Sequence, residues 1–200
     1  YQRLRDYDIS YSELHHLPPS IKLTTIKPSG TVSLMTGTTP GCHPGYSQYY
    51  TRRIRFNATD PLLEDCKRMG LKVEPEFGMD GKPPVGGGNT RYVVEFPCQL
   101  PPGTQLADQT SAIEQLEIVR RLQREWSDSG VSVTVYYRPQ ELDAIREWLE
   151  RHYQDEIKAC SFLLHCDHGF VQAPYEKISR EQYEHAMRQT AVAGFVSEEK

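Results

Sequence analysis

A Pro-Ser-Gly-Thr turn at residues 28–31 has the residue types in this chain that best fit a binding role. It follows a β-branched run at residues 21–26, which predicts a strand, and precedes a short segment, TVSLM, which predicts the first turn of a helix. Pro28 ends strand pairing because it has no amide hydrogen. Gly30 lets a ligand come close to the backbone, and the unpaired amides at a helix N-terminus attract phosphate. The turn is therefore a candidate phosphate site.

The same residues also fit a plain strand-to-helix connection without a ligand. No Walker A motif precedes Thr31, and the turn is not a Gly-x-Gly-x-x-Gly dinucleotide motif. Connections containing Gly and Ser are common between strands and helices. The turn by itself leaves both interpretations open.

Cysteine and histidine occur together at two places. Cys42 and His43 lie in the Gly/Pro loop, which we define as residues 37–45, where they suggest a nucleophile and its base; adjacent side chains seldom point at each other productively. The second group has metal-ligand residue types and consists of Cys160, His165, Cys166 and His168. Zinc sites normally combine ligand pairs from separate segments, and an extended strand disfavours a disulfide between the two cysteines of this group. We therefore assign no catalytic residue and no metal ligand.

The composition predicts a cytoplasmic globular protein. Apolar residues make up 38% of the chain and charged residues 25%, and the apolar runs are too short for a membrane span. A net charge of −4 argues against a broad nucleic-acid surface, although Arg52, Arg53 and Arg55 form a basic run that suits either an anion or a solvated strand edge. The odd count of five cysteines fits a reducing compartment. A first residue other than Met suggests a fragment or a processed chain.

The middle of the chain predicts a small α+β insertion. Residues 59–70 have the pattern of a helix, with Thr59 or Asp60 as N-cap, Pro61 at the first helical position and Gly70 as the stop. Two strand-like segments, LKVEPE and RYVVEFP, then flank a Gly-rich loop, and the preceding segment YYTRRIRF also predicts a strand.

The last part of the chain predicts a βαβ unit. An amphipathic helix over 110–126 precedes a strand at 131–137, a helix at 138–153 and a nearly continuous apolar strand at 157–165. Two strands joined through a helix of this length pair in parallel. A final helix is expected to begin at Ser179, with a capping box closed three residues later.

The order of these segments resembles the C-terminal part of the catalytic barrel of ribonucleotide reductases, within the adenosylcobalamin-dependent class. The resemblance lies in IKLTTIKPSGTVSLMTGTTPGCHPGYSQYYTRRIRF, then REWSDSGVSVTVYY, then IKACSFLLHCDHGFVQAPYE. It implies a portion of a ten-stranded α/β barrel. The expected domains are a barrel segment at 1–58, the small α+β insertion at 59–108, and a barrel βαβ segment with a C-terminal helix at 109–200.

The resemblance also implies a role for the opening turn, which seats the substrate phosphates in this family. The residues that inherit this role are Ser29, Gly30, Thr31, Val32 and Ser33. The family's radical cysteine lies in an Asn-x-Cys-x-Glu segment, and no such segment occurs in these 200 residues. Reductases that receive their radical from another subunit carry a Tyr-Tyr pair on the last barrel strand, where this chain has Phe162-Leu163-Leu164. That difference favours adenosylcobalamin as the radical source.

The implied function is part of the reduction of ribonucleotides to deoxyribonucleotides. The implied partners are a ribonucleoside di- or triphosphate substrate, the upstream part of the same reductase and a dithiol reductant such as thioredoxin, with neither nucleic acid nor membrane. The alternative is a free-standing nucleotide- or phosphate-binding module without redox chemistry.

Overall fold

The computed structural model describes residues 1–30, 33, 37–78, 81–82, 90–166 and 169–191. The chain packs as two compact units. The first unit comprises Tyr1–Gly45 and Thr104–Cys166, and the second comprises Tyr46–Gly103 and Asp167–Lys200. The domain boundaries expected after residues 58 and 108 remain a prediction.

The described residues form helices and strands in both units. The helices in chain order are α1 (Gln2–Leu14), α2 (Leu62–Arg68), α3 (Ala112–Glu125), α4 (Leu142–His152) and α5 (Arg180–Ala191). The strands are β1 (Tyr49–Asn57), β2 (Lys72–Pro75), β3 (Arg91–Gln99), β4 (Thr134–Tyr137), β5 (Ser161–Leu164) and β6 (Tyr175–Lys177). Among the described helices, none combines the length and apolar composition of a membrane span.

The core of the first unit lies between a parallel strand pair and two helices. β4 pairs in parallel with β5, with Val135 opposite Phe162, and α4 lies between these strands in the sequence. The predicted βαβ unit with parallel pairing is therefore confirmed. Leu116 of α3, Val135 of β4 and Trp148 of α4 are buried in one cluster, so the apolar faces of both helices pack against the strand pair.

Local contacts explain where α3 and α4 begin. Ser111 Oγ accepts a hydrogen bond from the Glu114 amide at 3.2 Å, and the Glu114 carboxylate accepts one from the Ser111 amide at 2.7 Å. Such a cap stabilises a helix by about 1 kcal/mol. A 3-10 turn at Pro139–Glu141 leads into α4, and the Glu141 carboxylate accepts hydrogen bonds from the amides of Arg138 and Ala112.

The second unit is a four-stranded antiparallel sheet in the order β2-β3-β1-β6. The two strand-like segments of the predicted insertion pair as β2 and β3, which confirms that prediction. Beside them α2 buries Leu63 and Cys66 against Val94. The Asp60 carboxylate accepts from the Leu62 amide at 3.0 Å, and Gly70 ends the helical segment with φ +71°.

The final helix begins as predicted. The Ser179 amide donates to Gln182 Oε1 at 2.7 Å, and the Gln182 amide donates to Ser179 Oγ at 3.2 Å. Both contacts join residues only three apart, so the sequence pattern was sufficient to predict them.

The prediction of a strand at residues 21–26 is wrong. This segment is extended but forms no regular ladder. The carbonyls of Thr24 and Ile26 accept hydrogen bonds from the amides of Ser129 and Ser132 at 3.1 and 3.0 Å. The Thr24 hydroxyl also bonds the backbone of the facing segment, so a side chain replaces part of a backbone ladder.

Candidate functional site

The predicted phosphate turn is partly covered by the described residues. Ser29, Gly30 and Ser33 are described, whereas Thr31 and Val32 lie outside the described residues. Ser29 Oγ accepts a hydrogen bond from the Ser33 amide at 3.1 Å, and the Ser33 hydroxyl donates to the Ser29 carbonyl. The two serines are thus held together four residues apart, and Ser33 has a helical backbone. A side-chain oxygen that accepts an early helical amide satisfies a donor that would otherwise lack a partner.

Gly30 is exposed at the surface of the turn. Among the described residues, the nearest atom to a Cβ added at this position is the Pro28 carbonyl oxygen, at 4.0 Å. Local packing therefore does not require glycine here. The backbone is open to an approaching ligand, as a phosphate site needs.

The Gly/Pro loop lies against the residues that precede the turn. Gly41 has φ +58°, and a Cβ added there would lie well under 3.0 Å from the Lys27 carbonyl oxygen and 3.3 Å from Pro28 Cα. Real Cβ atoms essentially never come so close to backbone. Glycine is therefore required at this position both by its backbone conformation and by this close approach.

His43 joins the Gly/Pro loop to the start of β4. Its Nε2 atom lies 3.0 Å from the Thr134 amide nitrogen, and its Nδ1 atom lies 2.8 Å from the Pro40 carbonyl oxygen. An amide can only donate and a carbonyl can only accept, so these partners assign the neutral tautomer with the proton on Nδ1. Both ring nitrogens are used in structural hydrogen bonds. His43 therefore does not serve as a base for Cys42.

Cys42 itself is a packing residue. Its side chain is half-buried against the core of the first unit, and burial raises the pKa of the thiol. A raised pKa disfavours the thiolate that a nucleophile requires. These contacts do not support a nucleophile and base at Cys42 and His43, and the absence of a catalytic residue from this segment stays a prediction.

A cleft of about 210 Å³ lies beside the loop within the first unit. Its polar lining includes Thr39, Cys42, His43 and Gln105, and among the described residues no carboxylate, lysine or arginine lines it. The loop is held at this edge by hydrogen bonds from the Gly45 amide to the Gln105 carbonyl and from the Ala107 amide to the Gly45 carbonyl, both 2.8 Å. The cleft suits small uncharged groups rather than phosphate.

The second cysteine and histidine group is not a compact cluster among the described residues. Cys160 packs against the core of the first unit, and its pKa is raised by burial, whereas Cys166 is exposed. His165 donates its amide to the Tyr137 carbonyl at 2.8 Å, and His168 lies outside the described residues. All five cysteines are thiols rather than disulfides.

Two of the three arginines in the basic run on β1 are paired with carboxylates within the second unit. Arg53 pairs with Glu95 at 2.8 Å and with Glu176, and the Arg55 guanidinium bonds Glu76 at 2.6 Å. The Arg52 guanidinium stacks 4.3 Å from the centre of the Tyr175 ring. These contacts disfavour an anion site, and the solvated strand edge is also wrong, because β1 lies between β3 and β6 in the sheet.

The family model for the ribonucleotide reductase barrel domain matches residues 21–163. The chain belongs to this family. An adenosylcobalamin-dependent ribonucleoside-triphosphate reductase of Euglena gracilis is 38% identical over 189 residues, which cover 94% of this chain and 25% of that protein. A reductase of the same name from Lacticaseibacillus paracasei is 37% identical over 187 residues, covering 92% and 24%.

A solved ribonucleotide reductase has the same fold over this region. A crystal structure of a B12-dependent (class II) ribonucleotide reductase superimposes with a TM-score of 0.77 and 32% identity, covering 96% of this chain and 27% of that one. The chain therefore spans about a quarter of the length of the relatives it matches. The predicted fold class, an α/β portion of the ribonucleotide reductase barrel, is confirmed, and the alternative of a free-standing module is not supported.

Two contacts in this ribonucleotide reductase segment were not predicted from the sequence. One is the contact of Gly41 with the Lys27 carbonyl, and the other is the link from His43 to Thr134. Their only sequence signal is the unusual density of Gly and Pro around a single histidine in the loop. That signal indicates a constrained loop, but it does not identify the partners.

Proposed function

We propose that this chain is the substrate-placing part of an adenosylcobalamin-dependent enzyme that reduces ribonucleoside triphosphates to deoxyribonucleotides. The observation that carries the proposal is the match of most of the chain to the ribonucleotide reductase barrel. The triphosphate level is supported by the names of the relatives.

In this proposal the turn at residues 29–33 holds the substrate phosphates. The residues are Ser29, Gly30, Thr31, Val32 and Ser33. The exposed backbone at Gly30 supports this role, because backbone amides are suitable donors to phosphate oxygens. The hydrogen bonds between Ser29 and Ser33 support it by fixing the shape of the turn. Correct placement of a substrate can supply several kcal/mol of barrier reduction.

The redox chemistry belongs to the rest of the polypeptide. During the proposed reaction the ribose 2′-hydroxyl leaves as water and is replaced by hydrogen, while two cysteine thiols supply the two electrons and become a disulfide. The Asn-x-Cys-x-Glu segment that would carry the radical is not in this chain. The five thiols described here are assigned no step.

The cofactor is also assigned to the rest of the polypeptide. The cleft of about 210 Å³ is far smaller than a corrin ring, and the described residues contain no group of three or more metal-ligating side chains. These residues do not by themselves fit adenosylcobalamin. The residues of this chain that favour adenosylcobalamin as the radical source are on β5, where Phe162, Leu163 and Leu164 occupy the positions of a tyrosine pair. The adjacent strand β4 does carry two tyrosines.

The remaining partners are proposed with the function. They are the upstream part of the same reductase and a dithiol reductant such as thioredoxin, which would return the disulfide to thiols. A cytoplasmic location is supported by five cysteines that all remain thiols.

The phosphate site is tested by replacing Gly30 in the parent enzyme. Gly30→Asp puts a carboxylate beside the triphosphate, and we expect KM for the ribonucleotide to rise about tenfold or more, since like charges at contact distance repel by more than 1.4 kcal/mol. Gly30→Asn is the matched control, because it has nearly the same shape without the charge. Equal KM values for the two variants and the wild type would contradict the assignment.

A further inference from the structure

His43 connects the Gly/Pro loop, to which it belongs, with the first residue of β4, and the same loop contacts residues at both ends of the proposed phosphate turn. We propose that His43 is a positioning residue for the phosphate turn, acting as a neutral imidazole that holds the loop in register with β4. The inference rests on the proposed function, which assigns the turn to phosphate. His43 acts through the loop, since its ring nitrogens bond Thr134 and Pro40.

The hydrogen-bond partner of His43 on β4 is next to a residue of the packed core. Thr134 is the first residue of β4, whose next residue, Val135, is completely buried in the core and pairs with β5. The Thr134 amide donates to His43 Nε2 at 3.0 Å. A hydrogen bond from a strand terminus that packs into the core fixes the position of the imidazole ring.

The His43 ring also forms a hydrogen bond within the loop. With Nε2 as acceptor, the proton lies on Nδ1 and is donated to the Pro40 carbonyl at 2.8 Å. The His43 amide donates to the same carbonyl at 3.1 Å. The peptide that joins Pro40 to Gly41 is therefore held by two donors from one residue.

Gly41 connects the loop to the turn by packing against the Lys27 carbonyl. Its Cα lies so close to the Lys27 carbonyl that no Cβ fits between them. The same Lys27 carbonyl accepts the Ser29 amide at 2.9 Å. One oxygen atom thus contacts the loop and orients the first residue of the phosphate turn.

The loop contacts the other side of the turn through Thr38. The Thr38 amide and hydroxyl both donate to the Ser33 carbonyl, at 3.1 and 2.8 Å. Ser29 and Ser33 bound the proposed site. A shift of the loop therefore changes the spacing of these two residues and with it the shape of the turn.

Three substitutions of His43 separate the two ring hydrogen bonds. His43→Ala removes both. His43→Gln has an amide oxygen that reaches the position of Nε2 and can accept from Thr134, while His43→Asn has an amide nitrogen near the position of Nδ1 and can donate only to Pro40. The exposed His185 on α5, in the second unit, supplies the control His185→Ala.

The parent enzyme is assayed with ribonucleoside triphosphates and with inorganic triphosphate as a competitive inhibitor. We expect His43→Ala and His43→Asn to raise KM and the inhibition constant about three- to tenfold, the range expected for one lost hydrogen bond, with a smaller change in kcat. His43→Gln should stay within about twofold of the wild type. Equal effects of the Gln and Asn variants, or an effect on kcat alone, would overturn the inference.

Hydrogen exchange gives a readout that does not depend on turnover. The amides of Ser29 and Thr38 should exchange faster in His43→Ala and His43→Asn than in His43→Gln, because only the latter keeps the link to β4. Gly30→Asp is measured in parallel. If Gly30→Asp raises KM while all His43 variants match the wild type, the inference fails and the phosphate site stands; if neither position affects KM, the phosphate assignment itself fails.

Discussion

Replacing Gly41 by alanine is expected to displace the backbone next to the phosphate turn. The new methyl group would overlap the Lys27 carbonyl oxygen, and it would also lie 3.2 Å from the Lys27 carbonyl carbon and 3.3 Å from Pro28 Cα. All three are backbone atoms, so a side-chain rotation cannot relieve the overlap. The chain before the turn must move.

The size of the movement follows from ordinary contact distances. A Cβ contact is essentially never seen under 3.0 Å, and the added Cβ lies so far inside that limit that the Lys27 carbonyl oxygen must retreat by more than half an ångström. Overpacking of this kind costs about 1–3 kcal/mol. Because a misplacement of 1 Å can lower a rate about a hundredfold, we expect a loss in kcat/KM of about tenfold.

Gly37→Ala is the matched control for this effect. Gly37 has φ +70°, similar to the +58° of Gly41, but no described atom lies within 4 Å of an added Cβ. Both substitutions carry the cost of a left-handed backbone, about 1–2 kcal/mol. Only Gly41→Ala adds the displacement of the turn.

The assay compares the two variants of the parent enzyme by KM, kcat and the exchange rate of the Ser29 amide. Gly41→Ala should raise KM and speed exchange at Ser29, whereas Gly37→Ala should change neither by more than about twofold. The reasoning is refuted if the two variants have the same KM and the same exchange rate, since the overlap would then have no consequence for the turn.

Two further predictions concern the core of the first unit. Leu116→Ala, at a completely buried position, should lower the free energy of opening of α3, read from hydrogen exchange, by about 2–5 kcal/mol, while Leu142→Ala at a half-exposed position should change it by less than about 1 kcal/mol. The Glu117 carboxylate accepts a hydrogen bond from Trp148 Nε1 at 2.6 Å and pairs with Arg120, and these contacts lower its pKa. A carboxylate whose pKa is lower in the folded than in the unfolded state stabilises the fold fully above the ordinary glutamate pKa of about 4.3, and this stabilisation is lost as pH falls through the lowered, folded-state pKa. Glu117→Gln should therefore destabilise α3 near neutral pH, and the stability difference from the wild type should vanish on acidification. A difference between Glu117→Gln and the wild type that stays the same at neutral and acidic pH would contradict the assignment.

The elements that sequence predicted well are those decided by neighbours a few residues apart. Ser111 with Glu114 and Ser179 with Gln182 cap their helices through contacts over three residues, and Gly70 ends α2 with a positive φ. The parallel pairing of β4 and β5 also followed from the pattern, because two apolar strands separated by one amphipathic helix have few other ways to bury their side chains.

The strand predicted at 21–26 shows where this reasoning stops. β-Branched residues favour an extended backbone, and the segment is extended. A regular ladder also requires a regular partner, and the facing residues 129–132 are irregular, with the Thr24 hydroxyl bonded in place of backbone groups. Propensity describes one chain segment, whereas a sheet is a property of two.

The basic run on β1 illustrates the same limit for charge. The sequence left Arg53 and Arg55 as either anion ligands or solvated residues. The register of β1 against β3 places Glu95 opposite Arg53, and the loop after β2 brings Glu76 to Arg55. Which charges neutralise one another depends on strand order, which the charges themselves do not specify.

For the candidate site, the sequence by itself determined the turn chemistry and the family resemblance, because a Pro-Ser-Gly-Thr turn and its flanking segments are contiguous. Only the tertiary structure decided what holds the turn in place. The Lys27 carbonyl meets Gly41 across 14 residues of sequence, and His43 meets Thr134 across 91. Such contacts depend on how β4, the Gly/Pro loop and the turn pack together, and no local pattern of hydrophobicity or turn residues encodes a pairing over that separation.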